Sequence, residues 1–400
     1  HLSALTFNID FKEFNVGQAP LAHLDTLSSL GKSSHYTVGT NVDVITKPGL
    51  LTQGPGLSTL TNGDETGAIT ELVNYIIDIP VTTGVTYGIS TTKLHKITST
   101  SVINSGGVFP RTIALATSGS SCIEFQNNLY YFFNKASGGD IGKYDLVTTF
   151  TDAWGSTIPT GAAALQNAPH PVAKKEDIML FGNGRYVGTY VSTSNTLAPT
   201  KLDFGANTEC ADVGFHANQW WIAVNSGVAT ATDRAKSQIY LYDGSAIVSQ
   251  LADEVAIGVQ KIGFIMPVNG IIYVAYQDVV TGCAIGYISG RGIKPLRYFT
   301  GSQPTFAQKT LYKNTICFIS NGNIYSVGAV IEQLPIQVSQ LADGGYSTVG
   351  ALAAPFGTPM VSSNQSTQYK LARFFGYDTN CLSQSYIIPT VNGTLKGSIG

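Results

Sequence analysis

Of the 400 residues, 43% are hydrophobic but only 12% are charged, and the net charge is −2, where a typical soluble domain carries about 25% charged residues. No Lys/Arg run exceeds the pair Lys174-Lys175, so the basic footprint of a phosphate-reading protein is missing and nucleic acid is excluded as the main ligand. Gly (43 residues), Tyr (20) and abundant Ser, Thr and Asn take the place of charge, a mixture that favours short strands and tight turns over helices.

Residues 1–61 contain strand-like pieces at 5–11 and 40–46 and an amphipathic patch, PLAHLDTLSSLG, at 20–31. They read as an N-terminal extension that closes or caps the rest of the chain. The Gly/Pro punctuation of LLTQGPGLSTLTNG (50–63) marks the boundary.

From residue 62 to about 376 one arrangement recurs: a turn-forming pair, then five mostly apolar residues. It occurs as Thr83-Gly84 before VTYGI, Asn127-Asn128 before LYYFF and Glu176-Asp177 before IMLFG. It continues as Asn218-Gln219 before WWIAV, Asn269-Gly270 before IIYVA, Asn314-Thr315 before ICFIS and Gly357-Thr358 before PMVSS. The mean period is about 46 residues, in the range of propeller blades.

The residues directly after the runs are Ser90, Asn134, Asn183, Asn225, Tyr276, Asn321 and Asn364. Five are Asn, in a chain with only 22 Asn, which fixes the register. Asn tolerates φ > 0, so the expectation is that it ends one strand and starts a turn. Further strands are predicted at 93–97, 141–146, 185–190, 238–242, 284–288, 323–327 and 369–375. These alternate polar and apolar residues, as strands with one wet side do.

The five-residue runs do not alternate, which predicts burial on both faces. An antiparallel sheet with both faces covered, repeated seven times, is the geometry of a β-propeller. The fold class expected is therefore all-β: a propeller of seven four-stranded blades over 62–376, with N- and C-terminal extensions. In HANQWWIAVNSG (216–227), adjacent strand residues point to opposite faces. Trp220 is thus expected to pack against one neighbouring blade and Trp221 against the other, rather than serving as a sugar platform. Residues 377–400 read as a strand segment leading to a partner or a further domain.

The residues offer little chemistry. TDAWGST (151–157) approaches the box of sialidase propellers, but Asp152 and Trp154 have the wrong spacing and the motif occurs once. The six arginines (111, 185, 234, 291, 297, 373) share no repeat position. The adjacent acids Asp64-Glu65, Glu176-Asp177 and Asp253-Glu254 read as solvated turns rather than an acid/base pair, and NGDETG (62–67) lacks calcium-loop spacing. The six histidines (1, 23, 35, 95, 170, 216) show no metal spacing, and no G-x-S-x-G elbow occurs. Cys122, Cys210, Cys283, Cys317 and Cys381 form no CxxC pair; those set among apolar residues are expected as buried free thiols. No catalytic, cofactor-binding or metal-ligating residue is assigned, and no cofactor is expected. The longest apolar run, 262–276, is broken by Pro267, Asn269 and Gly270 and is too short to span a bilayer, so no membrane insertion is expected.

The divergent repeat, the low charge and the Gly/Ser/Thr/Asn/Tyr-rich composition together resemble propeller domains of virion proteins in tailed bacteriophages, in the tail or nozzle. There is neither the G-H…W-D signature of WD40 repeats nor the Gly doublet of kelch repeats. The resemblance implies a non-enzymatic structural role in a virion, with other virion proteins in a symmetric assembly, or a host-surface glycan, as partners. The alternative is a secreted propeller that binds or cleaves carbohydrate.

Overall fold

The computed structural model describes residues 42–43, 52–53, 57–158, 165–226, 237–250, 259–278, 282–290, 292–299, 303–312, 315–320, 323–327, 331–337, 348–365 and 368–374. They form a ring of seven four-stranded antiparallel sheets. Blade 1 comprises Val73–Ile76, Val85–Ser90, Lys93–Thr98 and Arg111–Thr112. Blade 2 comprises Ser118–Phe125, Asn128–Asn134, Gly139–Tyr144 and Phe150–Thr151. Blade 3 comprises Val172–Lys175, Ile178–Asn183, Tyr186–Val191 and Thr196–Asp203. Blade 4 comprises Thr208–His216, Gln219–Ser226, Gln238–Tyr242 and Ile247–Gln250. Blade 5 comprises Val259–Val268, Ile271–Asp278, Gly282–Ser289 and Gly292–Phe299. Blade 6 comprises Lys309–Tyr312, Thr315–Ser320, Asn323–Val327 and Ile331–Gln337.

Blade 7 joins the two ends of the chain. Thr348–Ala353, Met360–Gln365 and Gln368–Phe374 are completed by Leu57–Asp64, which pairs antiparallel with the third strand in the register Leu57↔Phe374 and Thr59↔Ala372. Ahead of the ring lies a small ladder, Val42–Asp43 with Thr52–Gln53. The only helical element among the described residues is the single turn Trp154–Thr157. The patch at 20–31 and the segment 377–400 lie outside the described residues.

First strands of successive blades touch around the axis and fourth strands form the rim. Antiparallel order then puts the first-to-second and third-to-fourth turns on one face, here the hairpin face. The second-to-third turns and the inter-blade linkers share the other, the linker face.

All seven five-residue runs fall on second strands, the last of them from Met360 onward. In blade 2, Leu129, Tyr130, Tyr131, Phe132 and Phe133 are all buried, because each blade is covered by two neighbours. The hydrophobic clusters accordingly lie between blades; one joins Leu180 and Val187 of blade 3 to Val213, Trp220 and Ile222 of blade 4. Trp220 is 2% exposed in that cluster. Trp221 faces the other way and packs against a cluster containing Ile262, Ile272 and Val274 of blade 5. It is only half-buried, with its indole Nε1 donating to His216 O at 3.2 Å. Trp220→Ala should therefore cost about 3–5 kcal/mol, and Trp221→Ala measurably less. Equal losses in urea unfolding would contradict this burial difference.

Three expectations need correction. The turn residues of two hairpins lie one position earlier than the sequence pattern places them. Gln126-Asn127 (φ 50° and 57°) and Ala217-Asn218 (φ 50° and 64°) form the loops, while Asn269-Gly270 (φ 49° and 80°) stands as expected. Both central residues at φ > 0 are the mark of type I′ hairpins.

Second, the recurring Asn at the end of each second strand is not a positive-φ residue at Asn134, Asn183 or Asn225. Its amide instead holds backbone outside its own blade, the first strand of the next blade or the linker before it: Asn225 Oδ1 accepts from Ile262 N at 2.7 Å and Asn225 Nδ2 donates to Ile262 O at 2.9 Å. Asn183 likewise accepts from Gln166 N at 2.6 Å, and Asn134 from Ala168 N at 3.2 Å. Asn recurs because one side chain offers both a donor and an acceptor to backbone that would otherwise be unpaired.

Third, the third strands are covered more fully than one wet side would allow, although residues such as Lys93, Lys96 and Tyr240 stay partly exposed. His95, Ile141 and Val187 are fully buried, since the neighbouring blades cover the third strand as well. Continuous exposure is seen on a fourth strand, where residues 294–298 of blade 5 are open to solvent.

Candidate functional site

The described acids weighed in the sequence serve the fold, and so does Glu124. Asp152 accepts from Tyr131 Oη at 2.6 Å, from Ala114 N at 3.2 Å and from Arg111 Nη2 at 3.2 Å, which ties blade 1 to blade 2. Glu124 pairs with Lys174, and so links the first strands of blades 2 and 3. Asp64 folds onto Thr66 N at 3.2 Å and Thr66 Oγ1 at 2.7 Å. Glu176-Asp177 is the hairpin turn of blade 3, and Asp177 accepts from Thr193 Oγ1 at 2.7 Å. Asp253-Glu254 lies outside the described residues.

A carboxylate, a serine and a histidine do meet inside blade 1. Ser90 Oγ donates to Glu71 Oε2 at 2.9 Å and lies 3.0 Å from His95 Nε2. Because Ser90 gives its proton to Glu71, it accepts from His95. The ring is a donor here and cannot act as a base towards the hydroxyl, unlike the order Ser–His–acid of hydrolases. Both Ser90 and His95 are fully buried. Burial pushes the Glu71 carboxyl up, but hydrogen bonds from Thr92 and Ser90 together outweigh it and leave the group below the usual glutamate range.

The four described cysteines are buried and free. Burial pushes the thiol of Cys317 up to about 12 and that of Cys283 to about 11, so they are protonated and unreactive. Among the described residues no group of three or more His, Cys, Asp and Glu side chains could hold a metal ion.

The polar residues that sequence reasoning misses converge on the ring axis. Asp212, on the first strand of blade 4, accepts from Val213 N at 2.9 Å and Ile265 N at 2.8 Å and pairs with Lys309 of blade 6. Lys309 Nζ also donates to Ile265 O at 2.7 Å. Nearer the hairpin face, Asp78 accepts from Thr310 Oγ1 and from Ala354 N at 2.7 Å, which joins blades 1, 6 and 7. Burial raises both carboxyls above the usual aspartate range, against the pull of Lys309 and these hydrogen bonds. No common repeat position links these residues; an isolated acid inside the strand CADVGF is the one trace of them in the sequence.

On the linker face, a cavity of about 190 Å³ opens between blades 4, 5 and 6. Glu209, Asn225, Lys261, Gln303, Pro304 and Phe306 line it. Gln303 is fixed by Nε2 donation to Lys261 O at 3.0 Å, and Phe306 packs on Tyr75 with ring centroids 5.9 Å apart. Burial at the lip raises the Glu209 carboxyl and Lys261 opposes the shift.

No protein-family model matches the sequence, and a search of curated proteins finds no match. Solved structures match in fold. The extracellular domain of a hybrid two-component system from B. thetaiotaomicron aligns with a TM-score of 0.56 at 13% identity, covering 82% of this chain and 42% of that one. The extracellular domain of a one-component system from the same organism gives 0.56 at 11%, covering 81% and 40%. The chain thus spans about two fifths of the length of these proteins. Identities this low speak of fold alone. By its seven four-stranded blades and its closure through Leu57–Asp64, the chain is a seven-bladed β-propeller.

Proposed function

We propose that this propeller is a non-catalytic interaction module, carried as a structural component of a virus particle, a bacteriophage tail in particular. The observation that supports the absence of catalysis is the use made of its acids. Asp78, Glu124, Asp152 and Asp212 are each held by partners from a neighbouring or more distant blade, whereas an acid/base pair needs carboxyls free to exchange protons with a substrate. Composition supports the particle: charge is scarce across the whole chain, and Gly, Ser, Thr, Asn and Tyr take its place. The reading is tested in two steps. Screening against glycosides and esters should give no turnover, and Asp152→Asn should cost about 1–3 kcal/mol of stability with no effect on any background rate. Turnover lost in Asp152→Asn or Glu124→Gln would overturn the non-catalytic reading. Fractionation should then recover the chain in fixed stoichiometry with assembled particles.

A second reading, an extracellular propeller of a cell, is supported by the similar bacterial propellers, which are extracellular domains. Recovery of the chain solely as a free secreted protein would favour it.

A further inference from the structure

The cavity on the linker face is built differently from the rest of the ring. Elsewhere the charged side chains of the inner strands are consumed: Glu124 by Lys174, Asp212 by Lys309. At the cavity lip, Glu209 and Lys261 are both exposed, and neither head group is taken up by a hydrogen bond or ion pair among the described residues. They stand on the first strands of adjacent blades, 4 and 5, so the ring itself sets their separation. The wall behind them is fixed. Asn225 is clamped to Ile262 through both amide atoms, and Gln303 to Lys261 O. Pro304 and Phe306 add an apolar side, and Tyr75 backs Phe306.

We propose that this cavity binds a single neutral hexose ring, free or at the end of a glycan. A carboxylate and an ammonium on one lip sum to no net charge, so a ligand with net charge meets a like charge whichever way it enters. A polyol satisfies both at once, with one hydroxyl donating to Glu209 and another accepting from Lys261 Nζ. The C–H face of the sugar lies against Phe306 and Pro304, which offer it an apolar surface. The volume, about 190 Å³, is below the roughly 300–1,000 Å³ of sites for drug-sized ligands, and it admits one ring. The site goes beyond the interaction role proposed above and does not depend on whether a particle or a cell carries the ring.

The test is saturation-transfer NMR on the full chain with the methyl glycosides of glucose, galactose and mannose, and with a hexose oligosaccharide. At least one hexose probe should show enhancement. Glu209→Gln and Lys261→Met should each weaken its binding about tenfold or more, the loss expected for a hydrogen bond to a charged group, with thermal unfolding unchanged. Enhancement of free methyl glycosides supports the free sugar; enhancement confined to the terminal ring of the oligosaccharide supports the glycan end. Silence from all probes, binding unaffected by both variants, or displacement by acetate or glycine in place of sugar would each overturn the proposal.

Discussion

Lys309→Met should lower the unfolding free energy by about 3–5 kcal/mol, the cost of leaving one member of a buried ion pair without its partner. Asp212, at 4% side-chain exposure, would keep its bonds from Val213 N and Ile265 N but lose the charge that offsets its desolvation. Asp212→Asn should also destabilise, because it keeps an acceptor for Ile265 N but strands the ammonium of Lys309, whose side chain is only 17% exposed. The informative variant is the pair Asp212→Asn with Lys309→Met. Asn keeps an acceptor for Ile265 N and no charge remains to be compensated, so much of the loss should be recovered. Urea midpoints at constant slope measure all three. Single losses near 1 kcal/mol, or a double loss equal to their sum, would show that the pair is not coupled across blades 4, 5 and 6.

The same pair marks where the sequence stops being legible. Second strands can be read because burial on both sides favours apolar residues at consecutive positions, and runs such as LYYFF carry that constraint locally. The third strands mislead for a related reason. KLHKI alternates by residue type, but His95 counts as polar while the neighbouring blade buries it completely. Alternation of type equals alternation of exposure only where one face is wet. The Asn register is legible in position but not in mechanism, since a residue suited to turns is here selected for the two hydrogen-bonding ends of its amide. The cavity is not legible at all, and the axis leaves only the isolated acid inside CADVGF. Asp78 bonds to Ala354 N, 276 residues away, and such contacts exist only once Leu57–Asp64 has closed the ring. Glu209 and Lys261 look like two ordinary surface charges until adjacent blades bring them to one lip.

Acid should destabilise the propeller well above the ordinary carboxylate range, through two buried histidines. His95 and His170 are both fully buried, and burial lowers each from 6.5 to about 4. For His95 the Glu71 carboxylate opposes the shift and Lys93 adds to it. Its Nδ1 has no partner, so a second N–H would be buried without an acceptor. For His170, Nδ1 donates to Gly182 O at 2.9 Å and the backbone of Gln166 also favours the charged ring, but burial prevails. A base whose folded pKa lies below its unfolded value binds fewer protons when folded. Its contribution is thus complete above 6.5 and is lost as pH falls from there to about 4. At full loss it is on the order of 3 kcal/mol per ring. Asp78 and Asp212 act in the opposite sense. Their raised carboxyls favour the folded state once protonated, so they offset part of the loss as pH falls through their folded values. Separating these contributions requires variants that cannot titrate. His95→Gln and His170→Gln, measured by urea unfolding from neutral pH to about 4, should each remove one histidine's share of the slope, whatever they cost at neutral pH. A wild-type curve that stays flat across this window, or slopes unchanged in both variants, would mean that these rings are not held neutral by the fold.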